Sequence, residues 1–170
     1  MNLSQLESNF ESLAAEDPLW TVLSDDTKRG GKWDENEFYK TGEGVIDDLE
    51  TRLLQSGLSL GGDSAIDFGC GGGRLTFPLS KHFDTCYGID ISTKMVAYAN
   101  QRIARGPNCT FIVNQNTQLE NFENESIDFV YSAIVFQHIA PRYTLEYFHE
   151  FSRVLKPQGL FVFQLPSRLD

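Results

Sequence analysis

The chain has 170 residues, of which 41% are hydrophobic and 22% are charged. This length and composition allow one sizeable buried core, so we expect a single globular domain with an N-terminal extension. The formal net charge is -10, and the 14 lysines and arginines are scattered along the chain. Because a nucleic-acid backbone is bound by clustered cations, the charge excludes nucleic acid and favours a small molecule or a protein as partner.

Cysteine usage and hydropathy indicate the compartment. Cys70, Cys86 and Cys109 form no CxxC pair and no Cys/His cluster, so we expect reduced thiols and no metal site. The longest apolar runs are shorter than the ~20 residues that a membrane span requires. The N-terminus also lacks a basic segment followed by an apolar one. The sequence therefore predicts a cytoplasmic protein with no membrane partner.

The N-terminal segment has the pattern of an amphipathic helix. Leu6, Phe10 and Leu13 recur at helical spacing, and Pro18 follows as a stop signal. Residues 24–33 are polar and contain glycine, which is typical of a mobile linker. We predict that residues 1–32 form a helix and linker acting as a lid or packing arm, and that residues 33–170 form the main domain.

The main domain alternates between helical patterns and short apolar runs. A helix is predicted over about 45–54, ending near Gly57. Strands are predicted at 65–68, 86–89, 110–113, 127–132 and 160–165, and further helices at 75–82, 95–103 and 143–154. Strands that alternate with helices of this length form right-handed βαβ units. The predicted fold is therefore α/β, a Rossmann-like doubly wound and mainly parallel sheet of about five strands with helices on both faces.

A glycine turn follows the first predicted strand. The run Gly69-Cys70-Gly71-Gly72-Gly73 ends that strand, and a helix is predicted to start near Arg74. Glycines let a ligand approach the backbone closely, and the helix N-terminus suits a phosphate or carboxylate. A dinucleotide fingerprint would require a third glycine at position 74. Because Arg74 stands there, the turn disfavours a nicotinamide dinucleotide.

An acidic residue follows the second predicted strand. Asp90 closes the run Tyr87-Gly88-Ile89-Asp90, about 20 residues after the glycine turn. At that point of a doubly wound sheet, a carboxylate accepts hydrogen bonds from both ribose hydroxyls. The turn and the acid together predict a nucleoside ligand.

Four motifs in order resemble those of the class I S-adenosylmethionine-dependent methyltransferases. They occupy residues 66–74, 88–92 together with Met95, 128–132, and 153–162, and the resemblance runs from about Trp33 to the C-terminus. It implies a Rossmann-like fold, S-adenosylmethionine as cofactor, S-adenosylhomocysteine as product, and methyl transfer as the reaction.

The resemblance also implies roles for individual residues. The glycine turn would lie along the methionine part of the cofactor, Asp90 would hold the ribose, and residues after the third strand would frame the adenine. The cofactor-binding residues implied are Trp33, Tyr39, Asp67, Gly69, Cys70, Gly71, Arg74, Asp90, Ile91, Met95, Asn116, Thr117, Gln118, Ser132 and Ala133. For Trp33 and Tyr39, ordinary packing against the sheet is an equally open interpretation.

His138 is the candidate catalytic residue. It comes just after the fourth predicted strand, where an acceptor substrate could reach it, and a histidine pKa suits proton removal near neutral pH. A packing or helix-start histidine is the alternative, and a lone residue favours that alternative.

The C-terminus departs from the family pattern. Related domains add two strands as an antiparallel hairpin after the fifth strand, whereas this sequence stops at Asp170. We therefore expect a C-terminally truncated domain, or a homodimer that covers the exposed edge strand. A missing hairpin would leave the acceptor pocket incomplete, so that the chain binds cofactor yet turns over poorly.

Three functions compete at this point. The leading hypothesis is a methyltransferase with a small-molecule acceptor, a protein side chain being the second kind of acceptor. The alternative is a catalytically inactive S-adenosylmethionine-binding module or regulatory homologue. The third, a nicotinamide oxidoreductase, is disfavoured by Arg74.

Overall fold

The computed structural model describes residues 2–165. Within that range the chain forms six α-helices and five β-strands. The helices are α1 (Leu3–Glu16), α2 (Pro18–Val22), α3 (Glu35–Gln55), α4 (Thr76–Leu79), α5 (Thr93–Asn100) and α6 (Pro141–Val154). The strands are β1 (Gly62–Phe68), β2 (Phe83–Asp90), β3 (Cys109–Val113), β4 (Ile127–Ser132) and β5 (Leu155–Phe163).

The five strands form one sheet in the order β3-β2-β1-β4-β5, and all four pairings are parallel. Asp67 of β1 is in register with Gly88 of β2 on one side and Tyr131 of β4 on the other. The strand order therefore reverses between β1 and β4, which makes the carboxyl ends of these two strands the switch point where such sheets bind ligands.

Helices cover both faces of the sheet, as predicted. On one face, Ala65 of β1 and Cys86 of β2 belong to a buried cluster with side chains of α3, α4 and α5. On the other face, Ile66 packs in a second cluster with Phe151 of α6. Successive residues of a strand point to opposite faces, which explains this division. Each fully buried phenylalanine such as Phe151 contributes roughly 1.5–3 kcal/mol, so the two clusters fix the sheet between its helices.

The helix before β1 is longer than predicted. It begins at Glu35 rather than near residue 45, because Asp34 caps it by accepting a hydrogen bond from the Glu37 backbone N–H at 2.9 Å. Phe38 and Tyr39 then continue its buried face. The two weak helix formers Gly42 and Gly44 lie inside the helix and obscure its pattern in the sequence.

The N-terminal segment also differs from its prediction. Pro18 does stop α1, but it is at the same time the first residue of the short helix α2, which the sequence analysis missed. Asp17 caps α2 and also accepts hydrogen bonds from the backbone N–H groups of Gly30 and Gly31 at 2.9 and 2.8 Å. The segment predicted as a mobile linker is therefore tied to the start of α2.

Several other boundaries shift. The helix predicted over 75–82 is the short α4 followed by a 3-10 turn at Ser80–His82. The helix predicted over 95–103 spans Thr93–Asn100, and β5 begins directly after α6, five residues before its predicted start.

In residues 2–165 every strand is parallel, and β5 is an edge strand whose Phe163 is 40% exposed. The predicted truncation concerns the chain after residue 165, which lies outside the described residues.

In the same described range, no helix is both long and apolar enough to cross a membrane.

A pair of glycines in α3 tests how closely this helix packs on the glycine turn. A Cβ atom at Gly42 would lie 2.0 Å from the Arg74 backbone oxygen, whereas a Cβ atom at Gly44 would meet nothing within 4 Å. We expect Gly42→Ala to lower the free energy of unfolding by about 1–3 kcal/mol through overpacking. We expect Gly44→Ala to raise it by about 0.5–1 kcal/mol, since alanine is the better helix former. Urea denaturation measures both, and shifts of the same sign would contradict the packing described.

Candidate functional site

A cavity of about 850 Å³ opens at the carboxyl ends of β1 and β4. Three parts of the chain line it: the strand ends and turns of the sheet, the segment after β4, and the N-terminal helices α1 and α2. The lining includes Leu6, Phe10, Leu13, Trp20, Val22, Leu23, Arg29, Asp67, Gly69, Cys70, Gly71, Arg74, Asp90, Ile91, Met95, Asn114, Ala133, Ile134, Val135, His138, Ile139 and Tyr147. Ligand pockets typically measure about 300–1,000 Å³, so the cavity has the size of a small-molecule binding site.

The glycine turn forms the floor of this cavity. The backbone N–H groups of Gly69 and Cys70 donate to the Ile89 carbonyl oxygen at 2.8 and 3.0 Å, which fixes the turn against the end of β2. Gly69 has φ +77°, and a Cβ atom there would lie 2.3 Å from Val135 Cγ2. At Gly71, with φ +52°, a Cβ atom would lie 2.5 Å from Val22 Cγ2. Both positions therefore require glycine, and the turn exposes backbone to the cavity.

Asp90 joins the turn to the end of β2. Its Oδ2 accepts a hydrogen bond from the Gly71 backbone N–H at 2.8 Å, and its Oδ1 accepts one from the Ser92 backbone N–H at 2.9 Å. Burial raises the pKa of Asp90, and these N–H donors act in the opposite direction. Since each carboxylate oxygen has two lone pairs, both oxygens can accept one further hydrogen bond from a ligand hydroxyl.

Asp67 lies deeper, under the turn. The side chain is 2% exposed, and its Oδ2 accepts a hydrogen bond from Thr76 Oγ1 at 2.6 Å. Burial raises the pKa of Asp67 to about 6, while the Thr76 hydroxyl and the charge of Arg74 act in the opposite direction. The carboxyl group therefore holds the turn to α4 and changes charge close to neutral pH.

Arg74 is the most unusual polar side chain of the cavity. It is 4% exposed, its Nε has no hydrogen-bond partner, and its Nη1 donates one long bond of 3.4 Å to Thr41 Oγ1. Burial lowers the pKa of Arg74, and the charge of Asp67 opposes that shift. In residues 2–165 no ion pair includes Arg74. A buried cation with unused donors is costly unless an anion joins it, so Arg74 is a candidate anion ligand.

The structure brings most of the predicted site residues to one cavity. Of the fifteen predicted cofactor-binding residues, nine line it, and the candidate base His138 does so as well. The nine are Asp67, Gly69, Cys70, Gly71, Arg74, Asp90, Ile91, Met95 and Ala133.

Two aromatic residues predicted to cover the cofactor lie outside the lining. Trp33 packs edge-on against Phe38, and its Nε1 donates to the Leu23 carbonyl oxygen at 3.1 Å. Tyr39 donates its hydroxyl to the Gly72 carbonyl oxygen at 2.8 Å, which supports the glycine turn from behind. The packing interpretation therefore describes both side chains, and direct contact with a cofactor stays a prediction.

Four further predicted residues also lie outside the lining. Ser132 donates its hydroxyl to the Phe68 carbonyl oxygen at 3.0 Å and so ties the end of β4 to the end of β1. Thr117 donates to Glu146 of α6 at 2.6 Å. Asn116 caps its own loop, since its Oδ1 accepts from the Gln118 backbone N–H at 2.8 Å. Instead, Asn114, four residues before Gln118, lines the cavity.

His138 lies at the rim of the cavity. Its ring packs edge-on against Phe10 of α1 with centroids 5.7 Å apart, and its Nε2 lies 3.1 Å from Gln137 Nε2. Partial burial lowers the pKa of His138, which keeps the ring neutral at pH 7. A neutral imidazole is able to accept a proton from a ligand in the cavity.

The N-terminal helices are the part of the site that the sequence analysis did not resolve. Glu11 of α1 accepts hydrogen bonds from Ser92 Oγ at 2.9 Å and from the Lys94 backbone N–H at 3.0 Å. Glu7 accepts one from Gln115 Nε2 at 2.6 Å. These bonds fasten α1 beside Asp90, and Leu6, Phe10 and Leu13 of α1 line the cavity. The helical spacing of α1 predicted a covering element, but no local pattern shows which residues it meets.

A second residue that the sequence analysis missed is Ile134. It is the second residue after β4, lines the cavity, and has φ +64°, which is a rare conformation for a β-branched residue. Backbone strain of this kind concentrates at functional sites. The prediction of a pocket after the fourth strand therefore extends from Ala133 to the following residues.

Among the described residues, no group of three or more His, Cys, Asp or Glu side chains could hold a metal ion.

The raised pKa of Asp67 has a consequence for stability. Between about pH 4 and pH 6 the native protein keeps this proton while the unfolded chain, with an ordinary pKa of 3.8, has lost it. Wild type should therefore lose stability relative to Asp67→Asn as pH rises through that interval, by about 3 kcal/mol in total, and the difference should level off above it. Urea midpoints of both proteins at several pH values measure this, and a difference that does not change with pH would contradict it.

Comparison with known proteins shows the family. The sequence matches the protein-family model described as a methyltransferase domain over residues 66–163, which is more than half of the chain. Cyclopropane-fatty-acyl-phospholipid synthase of Escherichia coli (strain K12) is 29% identical over 102 residues, covering 59% of this chain and 25% of that protein. The ubiquinone biosynthesis O-methyltransferase of Methylococcus capsulatus is 38% identical over 69 residues, covering 41% and 29%. The chain thus spans less than half the length of these curated relatives.

Solved structures share the fold. An S-adenosylmethionine-dependent methyltransferase of Leishmania major superposes with a TM-score of 0.70 at 16% identity, covering 95% of this chain and 59% of that one. Magnesium protoporphyrin IX methyltransferase of Synechocystis PCC 6803, solved with bound S-adenosylmethionine, gives a TM-score of 0.63 at 24% identity, covering 90% and 71%. The parallel sheet, the glycine turn and the match over residues 66–163 identify the protein as a member of the class I S-adenosylmethionine-dependent methyltransferase family.

Proposed function

We propose that this chain binds S-adenosylmethionine in the cavity and transfers its methyl group to a small-molecule acceptor. The observation that carries the proposal is the buried Arg74, whose Nε lacks a partner, beside a glycine turn that has no room for side chains. The cofactor combines a carboxylate with a nucleoside. Arg74 offers a cation for the carboxylate, and Asp90 offers hydrogen-bond acceptors for the ribose of the nucleoside.

Asp90 would bind the ribose. One of its oxygens accepts the Gly71 N–H of the glycine turn and the other accepts the Ser92 N–H, and each has a lone pair left for a hydroxyl. Because the existing bonds hold the carboxylate in position, the ribose would meet an acceptor that is already oriented.

Arg74 would bind the carboxylate of the methionine part. The guanidinium lies next to the floor of the cavity, and a fork of N–H donors suits a carboxylate. Gly69 and Gly71 leave the backbone of the turn free to approach the same part of the ligand.

The adenine would bind between β2 and β3. Ile91 and Met95 line that side of the cavity together with Asn114. Asn116, Thr117 and Gln118 belong to the same loop, and contact between these three residues and the adenine is part of the proposal.

When bound, S-adenosylmethionine would supply a methyl group activated by its positively charged sulfur, and the sulfur would keep the carbon–sulfur bonding electrons when an acceptor atom takes the methyl group. The residues of this chain would position both molecules and exclude water, since α1 covers the cavity. For an acceptor with a proton to lose, we propose His138 as the base, because its ring is neutral at pH 7 and lies at the rim.

A small-molecule acceptor agrees with the relatives. The names of the ubiquinone biosynthesis O-methyltransferase and of magnesium protoporphyrin IX methyltransferase refer to small molecules. The cavity volume of about 850 Å³ lies towards the upper end of the usual range of about 300–1,000 Å³ for small-molecule pockets. An inactive cofactor-binding module stays the alternative, and it would bind the cofactor without transferring methyl groups to any acceptor.

We further propose a cytoplasmic location, since Cys70, Cys86 and Cys109 are free thiols. A homodimer that pairs two β5 edges, and the division into a covering segment 1–32 and a main domain 33–170, are also proposals. The bonds that fasten α1 beside Asp90 support the covering role.

Calorimetry with S-adenosylhomocysteine tests the ribose assignment. We expect Asp90→Asn to weaken binding by about 10- to 100-fold, because hydrogen bonds to a charged group are lost. Asp84→Asn is the matched control, since Asp84 is exposed near the other end of the same strand. Equal affinities for wild type and Asp90→Asn would contradict the assignment.

A truncated ligand tests the Arg74 assignment. We expect Arg74→Met to weaken S-adenosylhomocysteine binding by about 10- to 100-fold through loss of the charged contact with the carboxylate. Binding of 5′-deoxy-5′-methylthioadenosine, which has the nucleoside but no carboxylate, should change little. Calorimetry with both ligands measures this, and urea denaturation shows whether the variant folds. Equal losses for the two ligands would contradict a carboxylate contact.

A further inference from the structure

The cavity divides into two parts with different chemistry. Both carboxylates among its described lining residues, Asp67 and Asp90, lie at the glycine turn and the end of β2, where we propose the cofactor binds. The remaining wall comes from α1, α2 and the segment after β4. Its side chains are mainly apolar, and they include Phe10, Leu13, Trp20, Leu23, Val135 and Ile139.

Arg29 is the cation of this second part. It lines the cavity, and its guanidinium carbon lies 4.9 Å from the centre of the Trp20 ring. In residues 2–165 most cations have an acidic partner, as in the pairs Lys28–Glu37 and Lys94–Glu11. Neither arginine of the cavity lining, Arg29 nor Arg74, forms an ion pair within that range.

The backbone that carries Arg29 is held in place. Asp17 accepts the N–H groups of Gly30 and Gly31, and Trp33 bonds to the Leu23 carbonyl oxygen. Asp17 also caps α2, so its oxygens serve backbone donors and leave Arg29 without an ion pair. Glu16, which lies with Arg29 around a smaller neighbouring hollow, does not pair with it either.

We propose that this part of the cavity binds the methyl acceptor, and that the acceptor has an apolar body and a carboxylate or similar anionic group held by Arg29. The inference rests on the proposed function, because the cofactor must occupy the other part. The apolar wall takes the body, and Trp20 supports the guanidinium that meets the anion. A cationic amine would face Arg29 and no carboxylate in this part of the lining, so it is disfavoured.

Probes of one shape and different charge test the proposal. The protein, saturated with S-adenosylhomocysteine, is titrated with 2-naphthoate, 2-naphthamide, 2-naphthylmethylamine and acetate at low ionic strength, and binding is followed by ligand-observed NMR. We expect 2-naphthoate to bind about fivefold to tenfold more tightly than the amide, and the amine and acetate to bind most weakly.

Two variants identify the cation responsible. Arg29→Ala should remove the preference for 2-naphthoate over 2-naphthamide. Lys32→Ala should keep it, although it changes the net charge equally, because Lys32 lies three residues further along and, unlike Arg29, outside the lining. Both variants are first titrated with S-adenosylhomocysteine, whose binding should be unchanged.

The outcomes separate this inference from the proposed function. Failure of wild type to bind S-adenosylhomocysteine would refute the proposed function. With that binding intact, four results would each overturn the acceptor class proposed here. The amine could bind as tightly as 2-naphthoate or more tightly, or the preference for 2-naphthoate over 2-naphthamide could survive Arg29→Ala. Acetate could also bind as tightly as 2-naphthoate, or no naphthalene probe could bind at all.

Discussion

The site depends on the two hydrogen bonds that the Asp90 carboxylate accepts from the backbone. One oxygen accepts the Gly71 N–H and holds the glycine turn after β1, and the other accepts the N–H of Ser92, the N-cap residue of α5. Ser92 in turn donates its hydroxyl to Glu11 of α1. The Asp90 side chain therefore joins the glycine turn to the start of α5, and Ser92 joins the start of α5 to α1. A change at Asp90 would alter the turn and, through Ser92, the contact with α1, so a structural effect would accompany the loss of ligand binding that we propose.

The close approach of neighbouring elements explains why the turn is made of glycine. Val22 of α2 and Val135 after β4 lie where the side chains of Gly71 and Gly69 would be. The turn is thus packed by the covering helices on one side and the segment after β4 on the other. Because both neighbours are apolar, they close the cavity without competing for the backbone groups of the turn.

The sheet and the closeness of the glycine turn to Asp90 could be predicted from the sequence because their signals are local. A strand, a glycine turn and an acid about 20 residues later place Asp90 beside the turn, at the carboxyl edge of the sheet. The rest of the site could not be predicted, because it depends on contacts over long sequence distances. Glu7 of α1 meets Gln115, and Phe10 meets His138, and no spacing in the sequence indicates either pair. The sequence pattern also did not show that α3 begins at Glu35, because Gly42 is a weak helix former inside the helix. Its close packing against the Arg74 backbone is what requires glycine there.

The charges of the cavity indicate how ligand binding and stability are connected. Arg74 is a buried cation with an unused donor, in a chain of net charge -10 whose other cations mostly have acidic partners. Leaving such a group unpaired costs free energy in the unliganded protein. An anion that binds only the folded state recovers this cost and adds RT ln(1 + [L]/Kd) to the free energy of unfolding. Because α1 is fastened beside Asp90 through Glu11, we expect the added stability to extend from the turn to α1. The proposed cofactor binding and the packing of α1 on the site would in this way be coupled through the same few hydrogen bonds.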